Sequence, residues 1–144
     1  MRVVIQRSLQ SNVKVNEAVV GEISSGMVLL VCLEEGDSIE KVKKAADKIL
    51  KLRIFSDQLG KMNWGIKEAG GEILAISQFT LSWSGEKGNR PSFDKSMEPK
   101  AAEKLFNDFC ALLRIEVKVE TGQFGADMHL SIQNNGPVTF SLEF

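Results

Sequence analysis

The sequence predicts a single α+β domain, covering residues 1–144, in which two main amphipathic helices pack on a mixed or antiparallel sheet. Three observations favour this fold class. Short apolar or alternating runs, separated by turn-forming residues, recur along most of the chain, as expected of strands. Two other segments carry apolar residues at helical spacing. The length of 144 residues suits one domain, and no internal repeat or linker divides it.

The composition is that of a globular protein and not of a membrane protein. With 43% hydrophobic and 26% charged residues, the chain resembles an ordinary globular domain. No apolar run approaches the ~20 residues of a membrane span, and the apolar N-terminal stretch is too short for a signal peptide. We therefore expect a cytoplasmic location and no membrane partner. The net charge is −1, so any contact with nucleic acid must depend on a local patch.

Strands are predicted throughout the first quarter of the chain. Asn16-Glu17 and Ser24-Ser25-Gly26 supply the turn chemistry between them. The last strand of this region is almost continuously apolar, which predicts burial on both faces. These strands cover residues 3–7, 13–15, 19–23 and 27–33. Cys32 and Cys110 lack the close spacing of a metal or redox motif, so both are predicted to be buried free thiols.

The first helix is predicted to start at Asp37 or Ser38, either of which suits a helix cap, and to end near Leu52. Its apolar residues follow core spacing: Val42, Ala45, Ile49 and Leu52. A stripe of lysines runs beside that face: Lys41, Lys44, Lys48 and Lys51. A solvated edge is the simpler interpretation of this stripe, and a track for RNA is the alternative.

The second half of the chain alternates strands, a long loop and a second helix. Residues 57–60 are predicted to form a hairpin-like turn and residues 82–98 a polar loop, long enough to suggest a function. The second helix begins near Pro99. Its predicted buried stripe is Ala102, Leu105, Phe106, Phe109 and Leu113. The remaining strands are predicted at residues 52–55, 73–81, 117–121, 128–132 and 138–142.

Two segments are unusual for strands. The run Ser77-Gln78-Phe79-Thr80-Leu81 places three hydrogen-bonding side chains after an apolar stretch. The run Asn134-Asn135-Gly136-Pro137-Val138-Thr139 inserts Gly-Pro between two strand patterns, where proline cannot donate to a β-ladder. An X-Pro bond is also the one peptide bond with a realistic chance of being cis, and the sequence does not show which isomer is present.

Together these segments resemble the D-aminoacyl-tRNA deacylases. The similarity runs nearly end to end and also includes residues 1–7, 51–55, 71–74, 87–93 and 121–128. It implies a barrel-like fold, a homodimer and hydrolysis of the ester that joins a D-amino acid to the 3′-terminal adenosine of tRNA. It further implies that a cis Gly136-Pro137 element of one subunit points both carbonyls into the partner's pocket, with Arg7 anchoring those carbonyls.

An aminoacyl ester is already activated, so the enzyme need only place water and stabilise an oxyanion. We expect the backbone N–H groups of Phe79 and Thr80 to be the oxyanion donors, because the end of a strand presents unpaired donors. Thr80 as a nucleophile is an alternative that requires a base, and strand alternation places the only histidine, His129, on the exposed face. The more economical hypothesis uses the substrate's ribose 2′-OH to activate water, while Gln78 and Thr80 orient groups.

Chirality is expected to follow from main-chain atoms. Rigid carbonyls at Gly136-Pro137 would collide with the Cβ of an L-amino acid and leave space for a D side chain. Such a site cannot reject glycine, so glycyl-tRNA (mischarged on tRNA-Ala) is an expected secondary substrate. Phe124 and Met128 are candidates for packing against the terminal adenine, and a core role for Phe124 is the equal alternative.

Other contacts are less specific. Ser77 is assigned to the substrate site by the resemblance alone, since it equally suits the end of a strand. Lys87, Arg90 and Lys95 are candidates for phosphate contacts or solvated loop residues. No residue cluster suggests a metal, and no cofactor is expected. Two other functions stay open: an editing deacylase for small L-amino acids and a non-catalytic RNA-binding dimer.

Overall fold

The computed structural model describes residues 1–86 and 88–144, and it has the predicted strand-rich α+β architecture with two main helices. In chain order the strands are β1 (Arg2–Val15), β2 (Ala18–Ile23), β3 (Gly26–Cys32), β4 (Phe55–Ser56), β5 (Met62–Trp64), β6 (Glu72–Ser77), β7 (Val119–Thr121) and β8 (His129–Glu143). The helices are α1 (Ile39–Leu50) and α2 (Pro99–Arg114), and a single 3₁₀ turn covers Phe79–Ser82. No helix in these ranges is long and apolar enough to cross a membrane.

The main sheet is mixed and has six strands. The strand order is β2-β1-β3-β6-β7. The sixth strand, β8, lies off this path and pairs with β1 along most of its length. β1 is antiparallel to β2, β3 and β8, whereas β3, β6 and β7 are mutually parallel. Parallel neighbours need long connections. α1 lies within the connection from β3 to β6, and α2 within that from β6 to β7.

The sheet has an apolar core on each face. In β3, Met27 and Leu29 join the larger core, which includes the buried faces of α1 and α2, and Val28 joins a smaller core on the other face. This alternation explains the almost continuous apolar run in the sequence. The sheet also curls: a Cβ at Gly21 would lie only 2.7 Å from the Thr121 carbonyl oxygen. β2 therefore passes close to β7, and the sheet is nearly closed, as in a barrel.

Two predicted strand boundaries at β1 and β8 are wrong. Residues 3–7 and 13–15 form one strand, β1, because Ser8 and Ser11 interrupt the apolar pattern but both still pair with β8, with a shift of register on each side of Ser8. Residues 128–132 and 138–142 likewise belong to one strand, β8. Gln6 pairs with Thr139 and Ser8 pairs with Asn134, so residues 135–138 form a bulge opposite Arg7. A bulge accommodates proline because its missing N–H is not needed for the ladder.

Three further predicted strands are shorter than expected, among them the one predicted over residues 117–121, which is found as β7 (Val119–Thr121). The strand predicted over residues 73–81 ends at Ser77, after which the chain enters the 3₁₀ turn. The strand predicted over residues 52–55 is reduced to the two-residue β4, which pairs with β5 around the predicted turn at residues 57–60. The turn at Asn16 and Glu17 is confirmed, with φ angles of 48° and 63°.

Both helix predictions are confirmed. Ser38 is the residue before α1, although its side chain makes no capping hydrogen bond, and Leu52 packs against the core from just beyond the helix. α2 starts at Pro99, where the Glu98 side chain accepts a hydrogen bond of 3.1 Å from the Ala101 N–H. Cys32 and Cys110 are buried and free, as expected, and burial raises the pKa of Cys110 to about 12.

Candidate active site

The candidate site begins where β6 ends. β6 is parallel to β3, and the Gln78 N–H donates to the Val31 carbonyl over 2.7 Å, which fixes the end of the strand. The 3₁₀ turn then starts at Phe79. The first N–H groups of a helical turn have no acceptor within the turn. Among the described residues, nothing accepts a hydrogen bond from the N–H of Phe79 or Thr80. The structure thus presents two adjacent donors, for a physical reason different from the strand end that the sequence suggested.

Side chains hold this turn in place. The Gln78 side-chain amide donates to the Thr80 hydroxyl over 2.5 Å. Phe79 is 56% exposed, and its ring makes an edge-to-face contact with that of Phe93, with ring centroids 4.9 Å apart. Beneath the turn, the Cys32 sulfur lies 3.5 Å from the Phe79 carbonyl oxygen. Burial raises the pKa of Cys32 to about 11, so its thiol is protonated at neutral pH and donates to this carbonyl.

Two cavities meet at this turn. The larger, of about 230 Å³, is bordered by Ile76, Ser77, Gln78, Phe79, Gly125, Ala126, Asp127, Met128 and Leu130. The smaller, of about 60 Å³, is bordered by Ser77, Gln78 and Phe79 together with apolar residues that include Phe124. The structure thus brings together Ser77, Gln78 and Phe79 with both residues proposed for the adenine. Phe124 also packs against the larger core, with its ring centroid 6.2 Å from that of Phe106, which is the core role that the sequence offered as the alternative.

The second unusual segment is built differently. The Gly136-Pro137 peptide bond is cis, and Gly136 has a φ of 126°, a conformation that L residues rarely adopt. A Cβ at Gly136 would lie 2.9 Å from the Arg7 Nη2 atom and 2.8 Å from a Val138 methyl group. The space around this glycine is therefore filled, and the sequence can place no larger residue here without a shift.

Arg7 fixes this segment, but through other carbonyls than expected. Its Nε donates to the Asn135 carbonyl over 3.0 Å and its Nη1 donates to the Ile54 carbonyl over 2.7 Å. The expectation that Arg7 binds the carbonyls of Gly136 and Pro137 is corrected accordingly. The guanidinium fork instead ties the residue before Gly136 to the segment that leads into β4.

Within one chain the two segments lie apart. In the sheet register, Ser77 is level with Val31 and Val3, whereas Arg7 is level with Met27. Arg7 and Val3 are four residues apart on β1, which corresponds to ~13 Å along the strand. Arg7, Gly136 and Pro137 border neither of the two cavities. One copy of the chain therefore does not assemble the complete set of predicted site residues around one cavity.

Other candidates lie away from these cavities. The His129 side chain is 73% exposed and its Nδ1 lies 3.8 Å from a Glu17 carboxylate oxygen, which confirms the predicted exposed position. Arg90 and Lys95 are exposed loop residues, and Lys87 lies outside the described residues. In residues 1–86 and 88–144, no three His, Cys, Asp or Glu side chains are grouped so as to hold a metal ion.

Sequence reasoning missed several contributors to the site. Cys32 supports the 3₁₀ turn, yet nothing in its apolar run distinguishes it from a core residue. The carbonyls of Asn135 and Ile54 are main-chain groups, which no side-chain motif in the sequence can predict. Gly125, with a φ of 72°, lines both cavities, and its glycine was the one available signal for a special backbone conformation there.

Comparison with known proteins gives full-length matches. A family model described as D-Tyr-tRNA(Tyr) deacylase matches residues 4–143. A D-aminoacyl-tRNA deacylase of Lactobacillus gasseri is 51% identical over 144 residues, covering 99% of each chain. One of Clostridium acetobutylicum is 46% identical over 144 residues, covering 99% of this chain and 97% of its own.

Solved structures give the same extent of match. One described as c-Myc DNA Unwinding Element Binding Protein has a TM-score of 0.95 at 36% identity, and the match covers 100% of this chain and 99% of that one. Another, described as a probable eukaryotic D-amino acid tRNA deacylase, has a TM-score of 0.85 at 19% identity, with 98% and 97% covered. At that identity, the second match shows a shared fold.

Proposed function

Because this chain belongs to the D-Tyr-tRNA(Tyr) deacylase family, we propose a mechanism by which its two unusual segments hydrolyse D-aminoacyl-tRNA and reject L-aminoacyl-tRNA. The chain is a D-aminoacyl-tRNA deacylase, a hydrolase of the ester bond between the amino acid and tRNA. The finer steps below are the proposal. The observation that carries it is the pair of N–H donors of Phe79 and Thr80, unpaired within the described part of the chain, on the turn whose Phe79 borders both cavities.

The N–H groups of Phe79 and Thr80 stabilise the oxyanion. When water attacks the ester carbonyl, negative charge develops on its oxygen, and fixed N–H donors stabilise that charge without rearrangement. One such donor contributes roughly 10²–10³ to the rate in a known hydrolase. The Gln78–Thr80 and Cys32–Phe79 hydrogen bonds support this role because they hold the turn on both sides.

Water is activated by the substrate rather than by a side chain. The exposed position of His129 beside Glu17 gives Thr80 no histidine base, which disfavours a covalent threonine intermediate. The ribose 2′-OH lies next to the ester in the substrate, where it can pass the proton of the attacking water to the departing 3′ oxygen. Gln78 and Thr80 then orient the ribose and water, and Ser77 borders the bound ester.

The Gly136-Pro137 segment selects the D configuration in the partner subunit's cavity. Its distance from the cavities of its own chain supports a homodimer in which each copy inserts this segment into the other. Main-chain carbonyls close to the substrate Cα exclude an L side chain by contact and leave a D side chain free. Arg7 supports the selection indirectly, since it fixes the Asn135 carbonyl next to Gly136.

Two consequences for substrates follow. Glycine has no Cβ, so glycyl-tRNA, including glycine mischarged on tRNA-Ala, passes the same filter. The 3′-terminal adenine packs against Phe124 and Met128, which border the two cavities on either side of the turn. The residues proposed for these steps need no metal or organic cofactor, and an aminoacyl-tRNA substrate fits a cytoplasmic location.

Matched esters test the proposal. We expect rapid hydrolysis of D-tyrosyl-tRNA and slower hydrolysis of glycyl-tRNA at low enzyme concentration without added metal, with L-tyrosyl-tRNA left intact. Rapid hydrolysis of an L-alanyl ester would instead indicate the alternative editing of small L-amino acids, and the assigned role of Gly136-Pro137 would be wrong. Tight tRNA binding without turnover would favour the non-catalytic alternative.

A further inference from the structure

The positive charge of the chain is concentrated around α1. Residues 39–53 hold six of the eighteen lysines and arginines but only two of the nineteen aspartates and glutamates. This segment therefore has a net charge of +4, and the rest of the chain has a net charge of −5. The whole-molecule charge of −1 conceals this separation. An anionic polymer would be attracted to the surface of α1 and repelled by most of the remainder.

Four lysines of α1 and of the residue after it form one strip on the solvent side of the helix. Lys41, Lys44, Lys48 and Lys51 follow helical spacing, opposite the buried residues that include Val42 and Ile49. At the ends of the strip, Lys41 pairs with Asp37 at 2.9 Å and Lys51 pairs with Asp47 at 2.6 Å. The two central lysines are exposed and have no carboxylate within 4 Å in the described part of the chain.

This arrangement costs stability when nothing is bound. Like charges four residues apart on a helix are destabilising by about 0.2–0.5 kcal/mol per pair, and Lys44 and Lys48 form such a pair. Glu40, four residues before Lys44 on the same helix, offsets part of this cost. The repulsion between the two lysines is relieved by a polyanion that lies along the helix.

The strip also starts at the same end of the sheet as the candidate site. Ser77 pairs with Val31 near the end of β3, and α1 begins shortly after β3 ends. From there the helix extends about 18 Å, at 1.5 Å per residue. A tRNA whose 3′ end occupies the cavity must place its remaining phosphates on the protein surface or in solvent, and α1 is the basic surface that the described chain offers.

We propose that the lysine strip on α1, centred on Lys44 and Lys48, binds the phosphate backbone of the substrate tRNA away from its 3′ end. The inference rests on the proposed function and adds a second contact region to it. Its role is to lower KM for tRNA, and it takes no part in ester chemistry. The partner is recognised by its repeating phosphates and not by base sequence.

The test uses two double variants with equal changes in charge. K44E/K48E reverses the centre of the strip, and K61E/K100E reverses two other exposed lysines that are likewise unpaired in the described chain. Each variant is assayed with D-tyrosyl-tRNA and with the D-tyrosyl ester of adenosine, which lacks the tRNA body. We expect K44E/K48E to raise KM for tRNA about tenfold, with kcat and the adenosine ester unaffected.

Salt dependence gives an independent reading. Each lost phosphate contact lowers the slope of log(kcat/KM) against log[salt] by roughly 0.7–0.9, so K44E/K48E should lower it by roughly 1 to 2. K61E/K100E should change KM less than twofold. An equal rise in KM for both variants, or an unchanged salt slope in K44E/K48E, would overturn the inference, because either result indicates a general charge effect or no contact.

Structural damage and failure of the proposed reaction are separable from this result. K44E/K48E replaces one like-charge pair by another, so its midpoint of thermal unfolding should stay close to that of the wild type. Loss of activity on the adenosine ester in this variant would contradict a role limited to tRNA binding. If the wild type hydrolyses neither ester, the proposed reaction is wrong, and gel-shift Kd values of uncharged tRNA for the two variants still decide whether α1 binds RNA.

Discussion

The end of β6 and the β8 bulge are the two unusual segments of the chain, and they present opposite polarity. The 3₁₀ turn after β6 offers free N–H donors beside a cavity, with partial positive charge. The bulge at residues 135–138 carries carbonyls in a conformation fixed by Gly136 and Arg7. In the proposed mechanism, the first stabilises a negative transition state and the second excludes a side chain. Stabilising an oxyanion requires N–H groups without a partner, whereas excluding a side chain requires carbonyls held in a fixed position. The fold places the first kind of group at the end of β6 and the second within β8.

Gly136→Ala should break the bulge most strongly. A Cβ would contact Arg7 and Val138 at under 3.0 Å, and the φ of 126° is unfavourable for alanine. A displacement of about 1 Å near reacting groups can cost ~10²-fold in rate, so we expect kcat/KM for D-tyrosyl-tRNA to fall about 100-fold with weaker D/L discrimination. Gly60→Ala is the control, since Gly60 also has positive φ (75°) but open space around it. Equal losses in both variants would contradict the assignment.

Asp37→Asn should lower the free energy of unfolding, and through it the activity of the site at the end of β6. Burial disfavours the Asp37 carboxylate, but hydrogen bonds from the Glu34 N–H, the Met1 ammonium and Lys41 outweigh it and lower its pKa. A hydrogen bond to a charged group contributes about 1.5–3 kcal/mol, so we expect a loss of about 2 kcal/mol at pH 7. Because the native pKa is lowered, this contribution is present above the ordinary carboxyl pKa and is lost as pH falls through the native value.

Denaturant unfolding of the wild type and Asp37→Asn at several pH values measures this effect. The difference in the free energy of unfolding should be largest near neutrality and shrink as the pH falls below 3.8, the ordinary pKa of the carboxyl group. A difference that does not depend on pH would mean that packing, and not charge, is the contribution of Asp37. Since Glu34 bridges to Ser96, which borders the smaller cavity, activity on D-tyrosyl-tRNA should decline earlier on heating in this variant.

Arg7→Lys should loosen the bulge with a smaller effect than Gly136→Ala. One ammonium group cannot reproduce the guanidinium fork that donates to both Asn135 and Ile54. We expect about a tenfold loss of kcat/KM for D-tyrosyl-tRNA and a measurable rise in L-tyrosyl-tRNA hydrolysis. Arg53→Lys is a matched control, because Arg53 also donates to a main-chain carbonyl, that of Asn63, over 2.6 Å. Full retention of discrimination in Arg7→Lys would show that the bulge does not need its anchor.

Thr80→Ala should have the smallest effect on kcat. It tests whether the side chain or the main chain of Thr80 acts on the substrate. The variant loses the hydrogen bond from Gln78 but keeps both N–H donors. We expect kcat to fall less than about tenfold, since a neutral hydrogen bond contributes about 0.5–1.5 kcal/mol. Single-turnover rates with D-tyrosyl-tRNA measure this directly. Near-complete loss of turnover in a folded variant would instead support Thr80 as the nucleophile.

The helices and the buried strand were predictable because their signals are local. The spacing of Val42, Ala45 and Ile49, and the proline at the start of α2, depend only on neighbouring residues. Continuity of β1 through Ser8 and Ser11 was not predictable in this way, since it depends on pairing with β8, more than 120 residues away. The change from strand to 3₁₀ turn after Ser77 similarly depends on a hydrogen bond to β3.

In the candidate site too, the parts that depend on local sequence were predictable and those that depend on long-range pairing were not. Ser77, Gln78, Phe79, Phe124 and Met128 were identified from the sequence, and the structure gathers them around one turn. Arg7 binds the carbonyls of Asn135 and Ile54 instead of the two expected, because the path of a bulge is set by its register against β1. The placement of Gly136 beside a second copy of the chain stays a prediction.

The free N–H groups of Phe79 and Thr80 have a consequence for how this enzyme evolves. In the proposed site, the groups that act on the ester and on Cα belong to the backbone, which point mutations alter only through glycine, proline or a displaced turn. The side chain at residue 80 can change with the modest loss of rate expected for Thr80→Ala, because both N–H donors persist. Deleterious variation should therefore concentrate at Gly136 and at supporting residues such as Arg7, and a mutational scan of the remaining site should be unusually permissive.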